Sequence, residues 1–395
     1  MNASGISQSL NLLREYIEKE NYKGFDPYDA LNSPVFQLPL FQSNKLLRFG
    51  IQQLVKRSPF NIRPLLKIKK GLNPVTLGLC IQGYTALGSC GYEKEAVVHE
   101  KCNMLLSELE KLVSKGFHGV CWGYDFPWEA RNATIPAYQP TIVATGIITN
   151  ALFLYYKYSG NRKAFDLCRS ACEFILNDLN MQDQTDGSIC LSYSPSDNTQ
   201  VYNANMKGVR LLAQVYSVTE DQLLLDTAEK VTRFVMNNQQ DNGSWFYSGS
   251  PKGNWIDNYH TGYILDCLDE YMKCSGDGKW NEQIKKGLEF YTGNLFEADG
   301  RPKFFHDKSY PLDCTSASQA ILTLCRFNQV SSAVNTANVT IKNMQSETGY
   351  FYFRKYRYFT ERHSFMRWSN AWMFAALGTL VGEMNRQNPI KKPVG

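Results

Sequence analysis

Asp257, Asn258, Tyr259 and His260 stand together where a helix-patterned stretch, DNYHTGYILDCLDEY, begins. Four functional side chains in one helical turn suggest chemistry. Similar polar clusters recur along the chain: Tyr124, Asp125, Trp128, Glu129 and Arg131, then Gln139, then Asn203 and Asn205, then Asp313, then Arg367, Trp368 and Asn370. Two kinds of chemistry fit these residue types. Glycoside hydrolysis needs a protonated carboxyl and an ionised one across the scissile bond, which Asp125, Asp257 and Asp313 supply. Elimination or epimerisation on a uronic acid needs a base to remove a carbon-bound proton, plus groups that hold the carboxylate. Tyr259 or His260 is the candidate base. Arg131, Arg367 and Asn370 are candidate clamps, since the Arg fork pairs with carboxylates through two parallel bonds. Each residue also has a structural reading. Asp125, Asp257 and Asp313 suit helix caps, Arg131 and Arg367 suit ion pairs that hold loops, and Trp128, Trp245 and Trp368 suit rim packing. The sequence alone does not separate the two.

These clusters need elements that bring them to one place. Apolar positions Tyr263, Ile264, Cys267, Leu268 and Tyr271 recur at helical spacing. The same plan of Gly-centred turn, polar loop and apolar helix recurs at irregular intervals of roughly 50–65 residues, as a helix pair plus a long loop would. The first helix of each pair is apolar nearly all round: 75–87, then from near Gln139, Tyr202, Asp257 and Asp313, and finally Arg367–Met384. The second is amphipathic: 93–115, Arg162–Leu179, Asp221–Asn237 and Asn281–Phe296. The last apolar helix has no partner after it, and the amphipathic stretch 6–20 can supply one. Six hairpins then close into an all-α (α/α)6 toroid, in preference to an open array or two bundles, because a hairpin repeat must bury both neighbouring faces. Strand-like pieces such as Phe351–Arg354 are short and read as β-ribbons in loops. The expected organisation is an arm at 1–73 packing on a toroid at 74–395. Inner helices of a toroid start at one rim, so the polar clusters should converge there.

Composition narrows the function classes. Hydrophobic content of 43% with 20% charge describes a globular chain with ample core. The 11 cysteines show no regular spacing and no CxxC pair, which fits reduced buried thiols better than a disulfide framework. No signal-peptide pattern and no transmembrane run is read, so the expected location is cytoplasmic. Residues 43–72 hold eight Lys/Arg and no acid in a chain of net charge +5, leaving the remainder at −3. An apolar-basic stretch of this kind favours anionic surfaces, so peripheral contact with the inner membrane face is expected through 43–72, with a solvated outer arm as the plainer alternative. No nucleic-acid motif accompanies the charge, and no nucleic-acid partner is expected.

Several motifs resemble known families. Gln239…Gly243-Ser244-Trp245, Gln182…Gly187-Ser188 and Gln345…Gly349-Tyr350-Phe351 resemble the Q…G-x-W repeats of terpenoid cyclases. DNYHTGYILDCL resembles the D-x-Y-H-T segment of protein prenyltransferase β subunits, where the matching His is a zinc ligand beside an Asp-x-Cys pair. The preceding hairpin here, VYNANMKG, has no Asp-x-Cys, and no metal or other cofactor is expected. FDPYDALNSP, GYDFPWEAR, QPTIVATG and WIDNYHTGYILDCL together resemble a family of bacterial proteins associated with exopolysaccharide and lipopolysaccharide biosynthesis, placed among six-hairpin, glycosidase-like toroids. Tyr259-His260-Thr261 is similar to a helix start in D-glucuronyl C5-epimerases. The resemblances imply a toroid that binds a glycan of cell-surface polysaccharide assembly and acts on it by hydrolysis, elimination or epimerisation. The alternatives are a prenyltransferase- or cyclase-like enzyme and a non-catalytic glycan-binding or scaffold protein.

Overall fold

The computed structural model describes residues 3–129 and 134–387. Its helices are α1 (Ala3–Lys19), α2 (Pro39–Gln42), α3 (Lys45–Arg57), α4 (Pro74–Ser89), α5 (Glu95–Lys111), α6 (Ile142–Ser159), α7 (Arg162–Asn177), α8 (Tyr202–Thr219), α9 (Gln222–Met236), α10 (Asn258–Ser275), α11 (Asn281–Asn294), α12 (Cys314–Arg326), α13 (Val330–Met344) and α14 (Trp372–Gln387). Inner helices α4, α6, α8, α10, α12 and α14 each pack on the next, and α14 packs back on α4. The fold is an (α/α)6 toroid.

Local chemistry sets the helix ends. Asn73, Thr141, Asp257 and Asp313 each cap an inner helix with a side-chain oxygen. Inner helices α6 and α10 stop at Gly160 and Gly276, both left-handed, where a glycine has no Cβ to strain. The closing seam is tight. A Cβ on Gly83 of α4 would lie 2.5 Å from the Phe374 ring, and one on Gly378 of α14 would lie 3.0 Å from the Gly83 carbonyl.

The ring closes through α1, which packs on α13 and α14. Its face of Ile6, Leu10, Leu13 and Ile17 is fully buried. The Q…G turns show why α1 fits this slot. Gln239 donates through Nε2 to Gly243 of its own turn and to Gln283 at the start of α11, both at 2.9 Å. Gln345 donates to Gly349 and to Ser9 of α1, both at 3.0 Å. Thus α1 takes the place beside the last turn that α11 takes beside an earlier one. Trp245 is buried and donates to Val235 O, so it belongs to the core rather than the rim.

A second repeated bond organises the long-loop rim. The first N–H of each of five inner segments donates to the loop that precedes the next inner helix. The pairs are Ile142 to Tyr193 O, Tyr202 to Tyr247 O, Asn258 to Phe304 O, Cys314 to Phe353 O and Met366 to Phe25 O. The sixth inner helix begins with Pro74, which has no N–H to give. Every acceptor is aromatic. The strands are short, as expected: β1 (Trp128–Glu129) with β2 (Thr134–Ile135), β3 (Met181–Asp183) with β4 (Ile189–Leu191), and a three-stranded ribbon of β5 (Leu312–Asp313), β6 (Arg354–Lys355) and β7 (Thr360–Glu361). The last inner segment departs from regular helix: Met366–Ala371 is a π-helical turn leading into α14. No described helix is long and apolar enough to cross a membrane.

Candidate active site at the long-loop mouth

The aromatic ring of the rim is built from the position four to six residues after each turn glycine: Tyr124 after Gly119, Tyr193 after Gly187, Tyr247 after Gly243, Phe304 after Gly300 and Phe353 after Gly349. Phe25 fills the sixth place by its bond to Met366. One arc is of half-buried tyrosines and the other of phenylalanines. Burial pushes the Tyr124, Tyr193 and Tyr247 phenols up, so they stay protonated at neutral pH and can exchange hydrogen bonds with hydroxyl groups.

His260 stands on the tyrosine side. Its ring lies 4.6 Å from Tyr247 and 4.1 Å from Tyr259, centroid to centroid. Its Nδ1 is 2.7 Å from Asp257 Oδ2, which also accepts from Trp255 Nε1 at 3.0 Å. Asp257 Oδ1 accepts the His260 backbone N–H at 3.0 Å. An ionised carboxylate has no proton to give, so Nδ1 is the donor and Nε2 carries the lone pair. The imidazole is 17% exposed, which leaves Nε2 reachable from the mouth.

Ring contacts continue round the mouth. Tyr259 meets Trp368 edge-on at 6.1 Å, Trp368 meets Tyr28 at 6.1 Å, and Tyr28 meets Trp128 at 6.0 Å. Tyr28 departs from the other phenols here. Burial raises its pKa, but the Lys56 charge and hydrogen bond, with Arg354 and Arg367 nearby, outweigh burial and pull it below the usual tyrosine value. Lys56 Nζ donates to the Tyr28 hydroxyl at 2.6 Å.

The structure brings Tyr124, Trp128, Asp257, Tyr259, His260, Arg367 and Trp368 to this one mouth, but several have other work there. Burial beside Asp257 pushes the Tyr259 phenol well above its usual value, so it stays protonated at neutral pH. Asp313 is buried; it caps α12 through Ser316 N and pairs with Arg354 Nε at 2.7 Å. Asp125 accepts from Asn73 beside a void of about 10 Å³ lined also by Asp26 and Arg367, and burial with the Asp26 charge pushes its pKa up to about 6. Arg367 donates twice to Asp26, at 2.6 and 2.9 Å, and stacks on Tyr124 and Trp368. It is a pier of the rim rather than a free carboxylate clamp.

Glu129, Asn205 and Asn370 spend their side chains on structural bonds, while the buried Asn203 Oδ1 has no hydrogen-bond partner among the described residues. Glu129 is buried against Arg48 and Thr134, where it fastens α3 to β1. Asn205 bonds Leu191 and Val201 backbone, and Asn370 bonds Phe351 N and Phe365 O. Asn203 is buried and Gln139 half-buried, with Gly123 tight against the Gln139 carbonyl. Arg131 lies outside the described residues. Tyr28, Tyr193, Tyr247, Trp255 and Arg354 escaped the sequence analysis. The recurring aromatic four to six residues past each turn glycine was the available signal for Tyr193 and Tyr247. No group of three or more His, Cys, Asp or Glu suited to hold a metal occurs among the described residues.

The toroid and a polar, aromatic-walled mouth define the class of fold. No protein-family model matches the chain, and no curated protein matches it. Solved structures do. A sugar epimerase from a ruminal bacterium is 13% identical, with TM-score 0.65, over 98% of this chain and 99% of that one. The cellobiose 2-epimerase of Bacillus thermoamylovorans is 12% identical, with TM-score 0.62, over 80% and 90%. A family-76 α-mannanase of Bacteroides thetaiotaomicron is 12% identical, with TM-score 0.59, over 79% and 86%. At these identities the likeness is one of fold.

Proposed function

We propose that this protein is a carbohydrate-active enzyme that moves a proton to or from a saccharide carbon, with epimerisation as the reaction. The observation that carries the reading is the Asp257–His260 pair. Asp257 fixes the ring and its tautomer, and Nε2 faces the mouth as the base. Tyr28, lowered by Lys56, is the second proton carrier, reached from His260 through Tyr259 and Trp368. Protonated tyrosines and Trp255, Trp128 and Trp368 supply hydroxyl contacts and stacking faces for a sugar. Hydrolysis is less well served, because Asp125, Asp257 and Asp313 are each held by a cap, an ion pair or burial rather than facing one another across a cleft. The toroids of similar shape that act on sugars, epimerases among them, support the reading.

The test is turnover of a panel of neutral and uronate oligosaccharides followed by NMR. His260→Gln should lower kcat by about 10²-fold or more, as expected when a general base is lost. Tyr28→Phe should lower it similarly, while leaving KM within a few-fold. Full activity in both variants on a substrate the wild type turns over would overturn the assignment.

The proposal extends to setting: a glycan intermediate of cell-surface polysaccharide, met at an anionic membrane face. Leu46, Leu54, Phe60 and Leu65 are strongly exposed, and Arg57, Lys67 and Lys69 are exposed near them in sequence. Three other cations of the stretch are turned inward, Arg48 to Glu129, Lys56 to Tyr28 and Arg63 to Asp29, while exposed Lys70 pairs with Glu20 at the surface. The surface therefore offers a small basic rim around apolar side chains, as an interfacial contact requires.

A further inference from the structure

The toroid has a second cavity, on the side away from the aromatic mouth. It measures about 600 Å³, within the usual range of small-molecule sites. Tyr263 and Trp372 line its inner end, their rings 5.4 Å apart, and Tyr263 also touches Tyr259 at 5.8 Å. This aromatic septum separates the cavity from His260. From there the lining runs along the later turns of the inner helices, through Asn150 and Leu154 of α6 to Arg326 of α12 and Arg386 of α14.

The inner end carries charged groups with hydrogen-bonding capacity left unfilled, Lys207 and Arg210 facing Asp266. Lys207 is 1% exposed and lines the cavity. Its Nζ sits 3.7 Å above the Tyr263 ring, and among the described residues no carboxylate pairs with it. One turn along the same face, Arg210 is 7% exposed. It donates through Nη2 to Gly146 O at 3.1 Å, but its buried Nε has no acceptor. Asp266 is 8% exposed; Oδ2 accepts from Gln319 at 2.7 Å, and the buried Oδ1 has no donor. Two adjacent cations and an acceptor with free lone pairs, all lining one cavity, lack a ligand. An unpaired buried charge is costly to keep, and a cation over an aromatic face recovers only part of its lost hydration. Of the other cations of the cavity wall, Arg326 is engaged with Asp269 and Glu270, Lys273 with Asp269 and Arg386 with Glu383, while Lys157 is exposed to solvent.

We infer that this cavity binds a small hydroxylated anion of monosaccharide size, its phosphate or carboxylate on Lys207 and Arg210 and a hydroxyl on Asp266 Oδ1. Lys207 and Arg210 lie three residues apart on α8, so both can reach one anionic group. Desolvation and the Arg210 charge pull the Lys207 pKa down to about 7, and an anion would restore its charge on binding. The site is separate from the proton-transfer site and does not depend on it.

Isothermal calorimetry on the full chain tests the inference with inorganic phosphate, D-glucose 6-phosphate, D-gluconate and neutral D-glucose. At least one anion should bind one-to-one, with glucose at least tenfold weaker; the phosphate and gluconate arms tell which head group the site takes. Lys207→Met and Arg210→Gln should each weaken that anion at least tenfold, whereas His260→Gln should leave its affinity unchanged. Circular dichroism of each variant checks the fold, and the two variants act from separate side chains if one expresses poorly. Absence of binding by all three anions at millimolar concentration would overturn the inference. So would glucose binding as tightly as the best anion, or anion binding that survives both substitutions.

Discussion

Gly187, Gly243 and Gly349 occupy equivalent turns with φ of +77°, +88° and +97°, and substituting each with alanine measures how the ring is closed. A Cβ on Gly187 meets nothing within 4 Å. Gly187→Ala therefore costs only the backbone strain of a positive φ, about 1–2 kcal/mol. A Cβ on Gly243 would lie 2.3 Å from Lys286 O of α11, and one on Gly349 would lie 2.3 Å from Leu12 O of α1. Ordinary contact begins near 3.4 Å, so in both cases a helix backbone must retreat by about 1 Å. Displacing packed structure costs typically about 1–3 kcal/mol beyond the strain. Gly243→Ala and Gly349→Ala should then each lose about 2–5 kcal/mol. Urea unfolding followed by circular dichroism, with all four proteins at one temperature, reads the differences. If Gly349→Ala costs no more than Gly187→Ala, α1 is not seated as an outer helix of the ring. A cost matching that of Gly243→Ala shows the terminal helix closing the toroid as α11 does within it.

Lys207 should make stability pH-dependent. Its folded pKa of about 7 lies below the ordinary lysine value of 10.5, so the fold gains stability as pH rises from about 7 to 10.5. Lys207→Met should therefore be stabilised relative to wild type most below pH 7, with the gap closing toward pH 10.5; a gap independent of pH refutes this. The groups facing Lys207 are Arg210 on its own helix and Tyr263, Asp266 and Cys267 on α10. Asp125 behaves oppositely: its folded pKa of about 6 exceeds 3.8, so its stabilising share is complete below about pH 4 and lost as pH rises through 6. Asp125→Asn should raise the melting temperature above pH 6 and leave it unchanged below pH 4 in parallel thermal melts. Vesicle flotation should show binding to anionic but not neutral liposomes, weakening with salt, with Leu54→Asp and Phe60→Asp abolishing it; equal binding to both liposomes would contradict the proposed surface.

The toroid was legible because its signals are local and repeated. Helical periodicity gave the hairpins, and the unpaired last helix pointed to residues 6–20. The site was less legible, because helix starts attract polar residues for capping as well as for chemistry. Asp313, Asn205 and Asn370 look functional in sequence, yet their oxygens are bound to backbone N–H groups, and Asp313 also meets an arginine. Glu129 and Arg48 are 81 residues apart, and no local pattern announces such a pair. Tyr28 shows the converse. Its phenol is unusual only because Lys56, Arg354 and Arg367 reach it from distant stretches, so the sequence could mark FDPYDALNSP but not its tyrosine. Lys207 had no such signal, since α8 also carries Asn203, Asn205, Arg210 and Gln214, and nothing in sequence distinguishes a cavity-lining lysine from one that reaches solvent.

The proton-transfer assignment stands or falls on where solvent hydrogen enters the sugar. Wild-type protein incubated in D₂O with a saccharide it turns over should give product of inverted configuration with deuterium on the inverted carbon. The label should appear at least tenfold more slowly with His260→Gln. A shortened sugar with a new reducing end and no carbon-bound deuterium would contradict the account and return the chemistry to hydrolysis.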